Sequence, residues 1–190
     1  MNICLIGVRG VGKTKTARRL AILLRRPVLS TDALVSYECD GKSVAAIIRQ
    51  KGGGPAAWRF FRNIEFVVLK KISKMKDVIL DCGGGIVVDL DSRGREKFSA
   101  RKVRILRKNA VVVWLKADPA RLHKKIIEDP RRPMLSASDD PVAIMRRRSP
   151  FYARAAHVVI PIAAGLRPLR PKPLAKRLLR ILSPRLNHQN

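Results

Sequence analysis

Eight consecutive residues, Gly7-Val8-Arg9-Gly10-Val11-Gly12-Lys13-Thr14, are of the types needed to hold a chain of phosphates. Glycines let the backbone curl until its N–H groups point inward at anionic oxygens. A helix starting at that point adds its positive end. Lys13 is long enough to reach the outer phosphates, and the Thr14 hydroxyl can ligate Mg²⁺. The spacing G-x-x-x-x-G-K-T is met in full, between the apolar run NICLIG and the helical stretch TKTARRLAILLRR. We read a nucleoside triphosphate site built from Gly10, Val11, Gly12, Lys13, Thr14 and Lys15, with Lys13 acting on the phosphate in transfer. An N-K-x-D sequence for guanine recognition does not occur, which favours a small kinase over a GTPase.

Further chemistry-bearing residues stand where apolar runs end. Thr31-Asp32 follows PVLS, and Asp81 ends DVILD just before Cys82 and Gly83-Gly84-Gly85. An acid at the end of an apolar strand suits Mg²⁺, which takes oxygen ligands beside a P-loop hydroxyl. Each has a plainer reading: Asp32 as the N-cap of the next helix, Asp81 and the glycines as a strand-to-loop turn.

Several short motifs resemble the shikimate kinase family, in the same order along the chain. Thr31-Asp32 resembles the end of its D-x-D, Phe61-Arg62-Asn63-Ile64-Glu65 its F-R-x-x-E, and Gly83-Gly84-Gly85 its G-G-G. Arg132-Pro133-Met134-Leu135 is similar to its lid signature, and Arg148-Ser149-Pro150-Phe151-Tyr152 to its R-x-P-x-Y. The resemblance runs from about Asn2 to Ile162. It implies ATP and Mg²⁺ as cofactors and shikimate, a small carboxylate with several hydroxyls, as acceptor. On that reading Arg62 and Arg148 grip the carboxylate. Asp32 orients the hydroxyl and takes its proton. Gly83, Gly84 and Gly85 let the backbone approach the ring, and Arg132, on a lid over about 128–147, closes on the ATP phosphates. Arg59 is the rival to Arg62. The chain departs from the pattern in having Ser30 where the first acid of D-x-D is usual, so we assign the metal to Thr14 and Asp81. It also has Lys15 after the P-loop threonine, and a charge-rich segment from about Leu90 to Lys108 that reads as a surface excursion.

The elements that must position these residues are legible as apolar runs. NICLIG, PVLS, DVILDC, AVVVWL and HVVIPI are continuous rather than alternating, as strands covered on both faces are. Helical stretches lie between them, one over about Ala120 to Ile127. A three-layer α/β/α P-loop kinase fold follows, with a five-stranded parallel sheet, a lid segment and one domain over 1–190. The substrate-binding region covers about 32–65. A basic helix over about 173–183 is stopped by Pro184. Trp58 and Trp114 read as core. His123, His157 and His188 are too dispersed to carry chemistry.

Composition adds one unusual feature. Lys and Arg number 41 against 14 Asp and Glu, a formal charge of +27, and no acid occurs from Pro141 to Asn190. Such a chain attracts polyanions, and a nucleic-acid-binding protein on a P-loop fold is the rival reading. No aromatic-and-basic platform or nucleic-acid module accompanies the charge, so nucleic acid is set aside as a partner. Another small P-loop kinase, for a nucleotide or sugar acid, is the nearer alternative. Cys4, Cys39 and Cys82 form no metal pattern and read as reduced thiols. A secretory leader and a membrane span are not visible, and the chain reads as a cytoplasmic monomer.

Replacing Lys13 by Ala should abolish phosphoryl transfer while leaving the fold intact, because the lost cation faces the charge developing on the γ-phosphate. ADP release and circular dichroism check this. Substantial turnover in the folded variant would remove Lys13 from the site.

Overall fold

The structure, a computed structural model, describes residues 1–117, 140–162 and 171–187. Its centre is a five-stranded sheet in the order β2-β3-β1-β6-β7. The strands are β1 (Asn2–Ile6), β2 (Val28–Ser30), β3 (Ile79–Asp81), β6 (Ala110–Ala117) and β7 (Val158–Ile162), and every pairing between them is parallel. All five residues of β1 are buried, as a central strand with helices on both faces requires.

The chain moves from β1 to β2 and β3 on one side, then crosses to β6 and β7 on the other. Beside β1 the direction of travel therefore reverses. In open α/β sheets that is where a crevice opens beyond the carboxyl ends of the strands. Gly7, the first P-loop residue, follows β1 directly. Leu5 of β1 and Ser30 of β2 both stand in register with Asp81 of β3. Three strand ends, with the loops that follow them, thus arrive at one level.

Helices flank the sheet. They are α1 (Lys13–Leu24), α2 (Thr31–Tyr37), α3 (Val44–Gln50), α4 (Gly54–Ile72), α5 (Ala100–Asn109), α6 (Pro141–Ala155) and α7 (Pro171–Asn187). α4 buries Ala57, Phe61, Arg62, Glu65, Val68, Leu69 and Ile72, a stripe at helical spacing. Arg62 and Glu65 lie within that apolar stripe, so each must find its partner inside the protein.

Two details differ from expectation. A short antiparallel hairpin, β4 (Val88–Leu90) and β5 (Glu96–Phe98), lies outside the main sheet, with Leu90 opposite Glu96. The stretch from Leu90 to Lys108 is therefore built into the fold: Lys102, Val103 and Leu106 of α5 are buried. α7 runs past Pro184 to Asn187. Proline removes one N–H donor, and packing of Leu174, Ala175, Leu178 and Leu182 into the core carries the helix through it. The expected helix over Ala120 to Ile127 lies outside the described residues, as does most of the 128–147 lid; its last part, from Pro141, is the start of α6.

Gly7 has φ +139°, and a Cβ there would stand 2.7 Å from the Leu115 carbonyl oxygen. A backbone atom in a central strand cannot swing away. Gly7→Ala should lose about 2 kcal/mol of stability or more, seen as a lower urea midpoint at unchanged slope. An unaltered midpoint would refute the close approach.

Candidate active site

The P-loop curls because Gly7, Gly10 and Gly12 take positive φ. Lys13, at the start of α1, is buried and folds back over the loop, donating to the carbonyls of Gly7 at 2.9 Å and Val8 at 3.0 Å. Thr14 and Lys15 are exposed on the same first turn. The hydroxyl of Thr14 is therefore open to the crevice end of α1.

Asp32 is not the cap of α2. Ser30 is, with its hydroxyl accepting from the Ala33 N–H at 3.3 Å. Asp32 stands in the first turn, its carboxylate against Gly83, where a Cβ would lie 2.2 Å from Oδ1. Solvent reaches Asp32, but protein crowds it enough that burial pushes its pKa up, with the charges of Glu65 and Asp81 adding to the rise and Lys13 and Arg62 opposing it. Asp81 itself is buried at the end of β3.

The triple glycine is more than a turn. Gly83 meets Asp32, Gly84 meets the P-loop backbone at Arg9 N (3.4 Å from a Cβ built there), and Gly85 meets the Arg62 guanidinium, 2.2 Å from such a Cβ. Gly83 donates its N–H to buried Thr31 Oγ1 at 2.8 Å. The Gly84 carbonyl accepts from the Tyr152 hydroxyl and from Arg148 Nη1, the latter at 3.3 Å. Burial pushes the Tyr152 hydroxyl up to about 12, which keeps it a neutral donor.

Arg62 and Arg148 line one cavity of about 790 Å³, together with Trp58, Glu96 and residues of the hairpin turn. Both arginines are buried. Arg62 Nη1 donates to Glu65 Oε1 at 2.9 Å, while its Nε has no partner. Arg148 Nε donates to both oxygens of Glu96, at 3.1 and 3.0 Å, and its Nη2 donates to Oε1. Arg59 is exposed and reaches only the Asp91 carbonyl at 3.4 Å, so Arg62 is the arginine of α4 that faces the cavity. Trp58 is half-buried, packing against the core beside Phe61 and also lining the cavity; Trp114 is buried and stacks on Tyr152 at 5.8 Å. The structure thus brings together Lys13, Asp32, Arg62, the three glycines, Asp81 and Arg148, with Thr14 nearby on α1. Arg132 lies outside the described residues.

Sequence reasoning missed Glu96 and Lys102. Glu96 holds Arg148 across 52 positions, and Lys102 Nζ donates to Glu65 Oε2 at 2.8 Å across 37. Their only signal was an acid and a lysine in a stretch whose apolar residues, Val103 and Leu106, already marked a buried helix face. Burial works against the charge on Glu96, but Arg148 and then Arg147 outweigh it and bring the pKa from 4.5 down to about 2.

The oxygen donors suit Mg²⁺. The Thr14 hydroxyl is exposed, and the carboxylate of Asp81 adds to the cost of ionising Asp32, a cost that a divalent cation relieves. Among the described residues no cluster of three or more acids, histidines or cysteines that could hold a metal ion occurs.

A family model described as shikimate kinase matches residues 9–167. A shikimate kinase of Leptospira borgpetersenii is 43% identical over 151 residues, covering 80% of this chain and 83% of its own. One of Leptospira biflexa is 40% identical over 157 residues, covering 83% and 84%. A solved shikimate kinase of Acinetobacter baumannii in complex with shikimate is similar at a TM-score of 0.75 and 29% identity, covering 98% of this chain and 95% of that one.

A depressed carboxyl pKa stabilises the fold above its unfolded value and loses that contribution as pH falls towards the folded one. Glu96 should therefore contribute stability that is fully present above about pH 4.5 and is lost as pH falls towards about 2. Urea titrations of Glu96→Gln across that range should show a flatter pH dependence than the parent. Parallel curves would mean that the Arg148 pairing does not act on Glu96.

Proposed function

The chain belongs to the shikimate kinase family, and from that premise we propose that it transfers the γ-phosphate of ATP to a hydroxyl of shikimate, giving 3-phosphoshikimate, a step of aromatic amino-acid biosynthesis. One arrangement supports this reading above the others. The two arginines suited to a carboxylate, Arg62 and Arg148, line a single cavity. The glycines at its edge lead from Arg62 at Gly85 to the P-loop at Gly84 and to Asp32 at Gly83. A small acid anchored by the arginines lies within reach of both a base and a phosphate cradle.

Each residue then has a part. The backbone of Gly10, Val11 and Gly12 and the side chains of Lys13 and Lys15 bind the phosphates. Lys13 leaves its loop carbonyls for the β- and γ-phosphates and offsets charge in transfer. Arg62 and Arg148 hold the carboxylate in place, which fixes the hydroxyl relative to ATP. Asp32 orients that hydroxyl and takes its proton as the oxygen bonds to phosphorus and the bond to ADP breaks. Its raised pKa brings its proton affinity closer to the working range. Thr14 and Asp81 would hold Mg²⁺, which when bound ties the phosphates together and neutralises their charge. Arg132 adds a further cation from the lid. The excess of cations draws both anionic reactants.

The protein works as a single-domain cytoplasmic monomer, with no nucleic acid or membrane as partner. No helix among the described residues is long and apolar enough to cross a membrane.

A coupled ADP-release assay across shikimate, nucleoside monophosphates and sugar acids tests the reading. Turnover confined to shikimate supports it, and preference for another acceptor overturns it. Asp32→Asn should cut kcat by about a hundredfold or more with little effect on ATP affinity; near-normal kcat would remove its role as base. Asp81→Asn should raise the Mg²⁺ concentration for half activity about tenfold, a loss of ~1.4 kcal/mol, with partial rescue by Ser30→Asp. An unchanged Mg²⁺ dependence would rule Asp81 out.

A further inference from the structure

Lys102 is fully buried on α5, on the same face as Val103 and Leu106. An apolar side chain would satisfy that position at far lower desolvation cost. Its ammonium instead donates to Glu65 Oε2 at 2.8 Å and to the Val88 carbonyl, with Asp89 Oδ1 at 3.6 Å. Three acceptors face it; burial, and after it the charge of Arg62, lowers its pKa, and Glu65 and Asp89 oppose that fall by favouring the cation. Glu65 accepts from Arg62 through its other oxygen, Oε1, at 2.9 Å. Asp89 is matched by Arg101, at 2.8 and 3.0 Å.

The charges in this network do not cancel. At ion-pair distance Arg62, Lys102 and Arg101 share only Glu65 and Asp89, while Asp32 acts on Arg62 from farther off without a hydrogen bond to it. One positive charge is left over, and the buried member that reaches the cavity is Arg62, whose Nε has no partner. Without Lys102, Glu65 would turn wholly to Arg62 and neutralise it.

We propose that Lys102 is a positioning residue for the acceptor's carboxylate: by occupying one oxygen of Glu65 it keeps the Arg62 guanidinium charged towards the cavity and holds it with one edge free. This rests on the proposed function in taking Arg62 as a ligand of the shikimate carboxylate. Lys102 touches no reactant and acts through Glu65. Glu65 is held below its usual pKa even though burial favours the neutral form, because Arg62 and Lys102 together outweigh it. The carboxylate is therefore present to be shared between them.

The test compares the unaltered enzyme with Lys102→Met and with the double variant Glu65→Gln, Lys102→Met. Methionine keeps the length and removes the charge, and glutamine keeps the acceptor facing Arg62. In Lys102→Met, KM for shikimate should rise about tenfold, while KM for ATP and kcat stay within about twofold. Its preference for shikimate over the carboxamide of shikimate should shrink by a similar factor, which a general loosening of the fold would not produce. In the double variant Arg62 regains its net charge, and KM for shikimate should return towards the parent value. A folded Lys102→Met with unchanged KM and unchanged acid preference overturns the proposal. So does a double variant weaker for shikimate than Lys102→Met. If Lys102→Met does not fold, the double variant, which strands no carboxylate at position 65, decides alone: a near-parent KM supports the role and a raised one overturns it. Turnover of shikimate by the unaltered chain is measured first. Its absence overturns the functional reading and this proposal together, whereas turnover with insensitive variants overturns this proposal only.

Discussion

No side chain can stand at positions 83 or 85 without displacing a charged group, and position 84 lies against the P-loop backbone, where a Cβ would be in van der Waals contact with Arg9. The rest of the site depends on that constraint. Asp32 comes from the end of β2, Arg62 from the middle of α4, and the phosphate loop from the end of β1. Nothing in their own sequences brings them together. They converge because the backbone leaving β3 carries no side chains to keep them apart, and because its carbonyl at Gly84 gives Arg148 and Tyr152 a common acceptor. Catalysis by positioning needs this kind of compaction, since a phosphoryl transfer gains most of its rate from alignment and charge.

Compaction has an electrostatic consequence. Two arginines drawn into a cavity wall lose water and must be compensated. Each is met by one glutamate, Glu65 or Glu96, and each glutamate has a second cation on it, Lys102 or Arg147. Under the proposed function the alternation serves binding as well as stability. A lone arginine–glutamate pair is neutral and indifferent to an incoming acid, while a glutamate shared by two cations leaves the cavity positive. Buried ion pairs are weak contributors to stability as a class, and under the proposed function the carboxylate of the acceptor accounts for their presence at both arginines.

What the sequence made legible and what it hid follow from the range of the interactions. The P-loop is contiguous, so its chemistry could be read from eight neighbouring residues. The five apolar runs carry their own signature of two-sided burial, and all five became strands of one parallel sheet. The choice between Arg62 and Arg59 was open, but it was decidable from helical spacing: Phe61, Glu65, Val68 and Leu69 define the buried stripe of α4, and Arg62 lies in it while Arg59 does not. Ser30 as the cap was likewise available, because serine before a helix start is a strong local signal. Glu96 and Lys102 were hidden for a different reason. Their partners lie on other elements, and a charged segment reads as solvated surface unless its few apolar residues are given weight. Pro184 misled because a local helix-breaking preference lost to the burial of four apolar side chains on α7.

The same reasoning explains why the charge of the chain said so little about its purpose. With 41 cations among 190 residues, a lysine or arginine at any given position carries little information, and a basic surface by itself fits nucleic acid, membrane or metabolite equally well. The 14 acids are scarce, and in a field of positive charge each is favoured almost anywhere on the surface. Several are found inside instead. Glu65, Asp81 and Asp89 are buried, and Glu96 is nearly so, around one cavity and one set of strand ends. A carboxylate that gives up water there, when exposed cations are available everywhere, is held by a specific requirement. At Glu65 and Glu96 the requirement is an arginine that must be kept in place without being neutralised. At Asp32 and Asp81, under the proposed function, it is negative charge near a phosphate loop, to serve a metal and a transferable proton. In a strongly basic protein the positions of the acids locate the chemistry.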